Sequence, residues 1–183
     1  NGGALNKAIE ENGANKVYVL EANGFYTLTS TIEFLRDSLN PDHGYEILGE
    51  TPTGDEYMPV VQTGLTAENT PFVRMFTVKA DVKFKNIFIA NQTTTGEIAQ
   101  HNIYCEAKVK LEVEDCMVDP IGKISFIHGN ELTGGSVVRV TDNTLLRHGD
   151  KYSPNGGHVF WGVYADTMYI ENIMGLCQSL HHD

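Results

Sequence analysis

Four short segments of this chain place charged and polar side chains at matched positions: Asp81–Ile89, Val109–Val118, Ser136–Leu145 and Asp166–Met174. Aligned on Asn86, Asp115, Asp142 and Asn172, they set Lys83, Glu112, Arg139 and Tyr169 in one row. Lys85, Glu114, Thr141 and Glu171 fall in a second. If the segments are adjacent rungs of a sheet, two chemistries are open to these rows. Opposite charges on neighbouring strands can pair across the ladder, each pair contributing about 0.2–1 kcal/mol. Alternatively, Glu112, Glu114, Asp115 and Asp119 supply oxygen ligands to a hard cation such as Ca2+. Beside such a cation, Arg139 or Lys83 would be a candidate base. Glu112 stands between the two candidate bases, and pairing with it would keep both protonated. A third arrangement needs only carboxylates. On neighbouring rungs Asp115 and Asp142 would be about 5 Å apart, close enough for paired action on a glycosidic bond, although every coil must also turn at that column.

A second concentration of chemistry lies further on. Arg147, His148, Asp150, Lys151 and Tyr152 form a polar loop, with His158 and Trp161 just beyond it. Aromatic faces stack on sugar rings, and His with Asp can move protons or bind metal. With Tyr169, these residues are candidate carbohydrate contacts. Trp161, inside Val159–Val163, fits a core position equally well. His181-His182-Asp183 has metal-ligating residue types, but at the chain end it is read as part of a tail over 177–183.

Positioning these groups requires a repeat. The four turn residues are 29, 27 and 30 residues apart, a period typical of stacked supersecondary units. Within each segment the pattern has period two, which predicts a strand. Val82, Leu111, Val138 and Met168 then share one inward column, and Phe84, Val113, Val140 and Ile170 share the next. Asn and Asp suit the turn because they tolerate the left-handed backbone region. No repeat contains an amphipathic helix of normal length.

Ahead of the repeats, residues 1–13 carry Leu5, Ala8 and Ile9 at helical spacing, with Asn12-Gly13 as a stop. Strand patterns follow at Lys16–Leu20, Phe25–Phe34 and Tyr45–Gly49. A helix in this place predicts a plug over the open end of a solenoid, whose apolar cross-section and strand edges need cover. Residues 14–176 then make five to six coils of a single domain spanning 1–183. Polar insertions at 53–70, 91–102 and 147–158 would stack on one side and wall a groove.

The order of helix, Val17-Tyr-Val-Leu20, Asn23-Gly-Phe-Tyr-Thr-Leu28, Ile47-Leu-Gly-Glu-Thr-Pro52 and then Val-x-Phe-x-Asn coils resembles the right-handed parallel β-helix proteins of the pectin-lyase-like superfamily. The resemblance covers residues from about Ala4 to Met174. It implies an all-β right-handed parallel β-helix with a short N-terminal capping helix, and a secreted or cell-surface location. It also implies a polysaccharide or surface glycan as partner. Within that expectation three functions compete: a carbohydrate-contacting module, a calcium-dependent lyase of uronic-acid polymers acting by β-elimination, and a self-associating adhesive module. No serine-nucleophile, phosphate-loop or dinucleotide motif is present to point elsewhere.

Composition narrows the partners. A net charge of −11, with 13 basic residues scattered along the chain, argues against nucleic acid, whose phosphates are bound by Lys and Arg. No apolar run approaches the roughly 20 residues that span a bilayer. Cys105, Cys116 and Cys177 lack metal-ligand spacing, and Cys116 reads as a buried thiol. After Ile173 the pattern fades without a recognisable cap, so the C-terminal end is expected to meet further chain or another molecule.

Overall fold

The structure is a computed structural model and describes residues 2–66, 68–70, 72–129, 135–145, 158–175 and 179–182. The chain is all-β: among the described residues three parallel sheets of six strands each wind into a β-helix, closed at one end by a short helix. Every coil contributes one strand to each sheet in turn, giving six rungs.

The first sheet holds β1 (Lys16–Leu20), β4 (Tyr45–Gly49), β7 (Val82–Lys85), β10 (Lys110–Glu114), β13 (Val137–Thr141) and β16 (Thr167–Glu171). The second holds β2 (Phe25–Thr27), β5 (Val60–Gln62), β8 (Phe88–Ala90), β11 (Met117–Val118), β14 (Thr144–Leu145) and β17 (Met174–Gly175). The third holds β3 (Ile32–Phe34), β6 (Arg74–Val78), β9 (His101–Cys105), β12 (Ser125–His128), β15 (His158–Trp161) and β18 (Ser179–His182). Part of the segment read as a tail is thus a strand, and its backbone pairs with β15.

Register in the first sheet follows the period-two pattern. Val113 lies opposite Phe84 and Val140, and Val140 opposite Ile170. Leu111 lies opposite Val82 and Val138, and Val138 opposite Met168. A one-residue slip would turn both columns out to solvent, so apolar burial fixes the pairing. Phe84, Val113 and Val140 are fully buried, while Ile170 on the last rung is 48% exposed. Phe84 also packs against Phe34 and Phe76 of the third sheet, with ring centroids 5.6 and 4.9 Å away. The sheets therefore share one core.

The turn column behaves as its chemistry demands. Asn86, Asp115, Asp142 and Asn172 have φ of 55°, 52°, 56° and 51°, the left-handed region that Asn and Asp adopt most readily after Gly. Asn86 Nδ2 reaches back to the carbonyls of Gly49 and Glu50, at 3.0 and 2.8 Å, and Asn172 Nδ2 donates to Asp142 Oδ1 at 2.8 Å. Gly49 ends β4 in front of this column, where a Cβ would come within 1.9 Å of the Asn86 carbonyl oxygen. Only glycine fits that contact.

Next to the turn, Asn143 is buried yet fully engaged. It accepts from the Cys116 N–H at 2.9 Å and donates to the carbonyls of Val113 and Thr141 at 2.9 and 2.8 Å. One side chain thus stitches two coils and avoids the cost of a buried unpaired amide.

Helix α1 (Ala4–Asn12) plugs the first coil with Leu5 and Ile9. Asn6 ties it down, donating to the Ser30 carbonyl at 3.0 Å and accepting from the Thr29 N–H at 3.0 Å. Gly13, at φ 66°, stops the helix with its N–H on the Ile9 carbonyl. No helix among the described residues is long and apolar enough to cross a membrane. Cys105 and Cys116 are buried free thiols, and burial pushes both up to about 12.

Candidate functional site

Two outward faces carry chemistry. On the first sheet the polar rows of the repeat stand in register, Glu112 beside Lys83 and Arg139, and Glu114 beside Lys85 and Thr141. Their charges are paired. Lys83 Nζ lies 3.8 Å from Glu112 and 3.0 Å from Glu114, and Lys85 Nζ lies 2.7 Å from Glu114 and 3.4 Å from Asp115. Lys110 Nζ is 2.8 Å from the other oxygen of Glu112. The hydrogen bond between Lys85 and Glu114 raises the lysine's pKa and lowers the glutamate's. Both candidate bases are engaged: Lys83 by two carboxylates, Arg139 by the Tyr169 ring, whose centroid is 4.3 Å from its Cζ. A shallow groove of about 280 Å³ runs along this face past Lys16, Glu46, Asp81, Lys83 and Glu112.

The four expected cation ligands do not converge. Glu112 and Glu114 project from β10, Asp115 occupies the turn, and Asp119 follows β11 on the second sheet. Among the described residues no group of three or more His, Cys, Asp or Glu side chains is placed to hold a metal ion. Asp115 and Asp142 both serve the turn, the first paired with Lys85 and the second with Asn172.

The third sheet presents a different surface. Its strands break the period of two: in β9 and β12 the second and third residues, Asn102-Ile103 and Phe126-Ile127, are all fully buried. The flanking residues are thereby thrown to the same side, and the His101 and Tyr104 rings, three residues apart, meet with centroids 5.2 Å apart. Two columns result. Arg74, His101, Ser125 and His158 are in register, and so are Thr77, Tyr104, His128 and Trp161.

Rings stack along these columns. The Arg74 guanidinium lies 3.4 Å above the Tyr104 ring, and the His128 ring covers the opposite side at 4.4 Å and 7°. His101 packs edge-on to His128 at 4.8 Å, its Nδ1 2.9 Å from Ser125 Oγ. Arg74 also makes an ion pair with Glu106, and Lys79 Nζ lies 3.3 Å from Glu106 and 3.6 Å from Glu33. Burial, then the neighbouring His128 and Arg74, push the His101 imidazole down to about 3. Burial and Arg74 lower His128 as well. Burial draws Glu106 upward, but hydrogen bonds from Arg74 and Lys79 outweigh it and keep it ionised. At neutral pH His101 and His128 are thus uncharged, beside the ion pairs of Glu106.

His158 and Trp161 belong to this face. His158 opens β15 and is buried, its ring 4.9 Å from that of Trp161, which is half-buried on the outer side while Val159 and Phe160 enter the core. Tyr169 stands instead on the first sheet, 42% exposed beneath Arg139. Arg147, His148, Asp150, Lys151 and Tyr152 lie outside the described residues. The loop at 91–100 leads directly into His101. It is held by the Asn91 amide on both backbone groups of Ala99, at 3.0 and 3.3 Å, and by Thr93 on Glu97.

Arg74, His101, Tyr104, Glu106, Ser125 and His128 escape a search for alternation. A different signal does mark them: His101-Asn-Ile-Tyr104, Ser125-Phe-Ile-His128 and His158-Val-Phe-Trp161 each bracket a mostly apolar pair with polar or aromatic ends. In sequence comparison the chain matches no protein-family model and no curated protein.

Proposed function

We propose that this chain is a pectin-lyase-like β-helix domain that works outside the cell or on its surface and contacts carbohydrate along the outward face of its third sheet. The observation that carries the proposal is the in-register Tyr104–His128–Trp161 column with Arg74 and His101 beside it. Aromatic side chains with polar tips suit pyranose rings, which combine apolar C–H faces with a rim of hydroxyls. Both faces of the Tyr104 ring are already covered, by Arg74 and His128. That leaves its hydroxyl for hydrogen bonds, and makes the half-buried Trp161 the candidate for ring contact. A regular column matches an extended polymer better than a single small molecule, because successive rungs offer similar groups at about 4.8 Å intervals.

Affinity electrophoresis through gels containing a panel of polysaccharides tests this reading. At least one polymer should slow the native chain, and Trp161→Ala should restore free mobility without loss of the folded far-ultraviolet spectrum. Free migration in every gel would remove the proposal.

Self-association is a second reading, favoured by the apolar side chains of Ile170 and Met174, which are 48% and 69% exposed. Light scattering across a concentration series should then show a mass above one chain, reduced by Met174→Glu; a constant single-chain mass would dismiss it.

A further inference from the structure

The charge around the third-sheet face bears on which glycans it admits. Two cations, Arg74 and Lys79, meet two carboxylates, Glu106 and Glu33, and Glu106 touches both cations. Arg74 is committed a second time by lying flat on Tyr104. Its neighbours His101 and Ser125 bond each other, and His128 Nδ1 has no hydrogen-bond partner among the described residues. On the first sheet Lys83, Lys85 and Lys110 are likewise paired with Glu112, Glu114 and Asp115. Around these described cations stands a chain of net charge −11. A polyuronate brings one carboxylate per sugar. To be held here it must either displace a protein carboxylate from its cation or lie unpaired against an acidic surface. Both cost free energy, since a buried or crowded anion without a partner loses its hydration. An uncharged sugar meets no such penalty, and its hydroxyls fit the half-buried Tyr104 phenol, which both donates and accepts.

We propose that the third-sheet face is selective for uncharged glycans and excludes uronic-acid polymers, with Glu106 masking the cation, Arg74, that would otherwise recognise a sugar carboxylate. This rests on the carbohydrate reading above and assigns its ligand class. Glu106 is thus a specificity-determining residue rather than only a structural partner of Arg74.

The test uses the native chain and Glu106→Gln in low-salt gels containing mixed-linkage β-glucan, galactomannan or arabinan, and in parallel gels containing polygalacturonate or alginate. The native chain should be slowed by at least one neutral polymer and by neither acidic one. Glu106→Gln frees Arg74, leaves Lys79 with Glu33 alone and should bring about measurable polyuronate retardation, a gain of about fivefold in affinity from one partly exposed charge that fades as salt rises. Equal or preferential retardation of the native chain by polyuronate would overturn the ligand class and leave the carbohydrate reading standing. A Glu106→Gln protein still indifferent to polyuronate would overturn the masking role. Free migration in all gels would overturn the carbohydrate reading itself.

Discussion

The outward faces of the first and third sheets are built on the same coils, yet they solve different problems. On the first sheet, long flexible lysines and glutamates alternate between rungs and neutralise one another, and most of them remain partly exposed. On the third, short rigid rings are packed edge and face, and their titratable groups are kept neutral by burial. Exposed pairs of the first kind keep like charges apart and hold register, but each adds little free energy. Stacked rings lose little rotamer freedom and keep fixed polar edges, which a binding surface needs. The difference teaches that the same coils can carry a ladder of partly exposed ion pairs on one face and packed rings on another, where the alternation is broken.

Predictions sharpen the contrast in order of size. Phe84→Ala opens a cavity in the core beneath both sheets and should cost about 3–5 kcal/mol, read from denaturant midpoints; a loss under 1 kcal/mol would show that the two sheets do not depend on one core.

Acid should separate the faces next. His101 is held neutral with its pKa near 3 instead of the ordinary 6.5, so the unfolded chain binds the proton first. This contribution to stability is complete above pH 6.5 and is lost as pH falls toward 3. At about 1.4 kcal/mol per pH unit, about 2–3 kcal/mol should be gone by pH 4.5. Urea midpoints from pH 7.5 to 4.5 should fall in the native chain and fall less in His101→Gln. A flat profile would mean the histidines are solvated.

Tyr104→Ala separates Arg74 from His128 and should cost about 2 kcal/mol, the sum of a cation–π contact and a ring stack. Lys83→Ala should cost less than about 1 kcal/mol and vanish at high salt. If those two losses came out reversed, the ranking of the faces would be reversed with them.

How much of this could be read from the chain depends on periodicity. Val82, Phe84, Leu111, Val113, Val138 and Val140 alternate strictly with charged residues, so sheet, register and solenoid followed from spacing alone. The Asn86–Asp115–Asp142–Asn172 column was equally legible, because the left-handed turn is a local demand met by a short list of residues. The helix stop at Asn12-Gly13 was local too. The third-sheet face was hidden because burying two consecutive residues breaks alternation, and because its partners, Arg74 with Tyr104 and His101 with His128, come from different coils. Asn143 and Asn102 stayed invisible for a related reason. Each looks like a loop residue, yet each is satisfied inside by backbone groups of another coil. Of the expected cation ligands, Asp119 lies past the corner into the second sheet, a bend that spacing along the chain does not reveal, while Lys83, Lys85 and Lys110 stand against Glu112, Glu114 and Asp115.

Paired variants test most directly whether recognition belongs to the third sheet. The neutral polysaccharide that most retards the native chain would be titrated against His128→Ala/Trp161→Ala and, separately, against Lys83→Ala/Glu112→Ala, each checked for an unchanged fold. The first pair should weaken binding by at least about tenfold, roughly 1.4 kcal/mol, and the second should leave it within twofold. Undiminished binding in the His128/Trp161 variant, with loss in the Lys83/Glu112 variant, would place recognition on the first sheet instead.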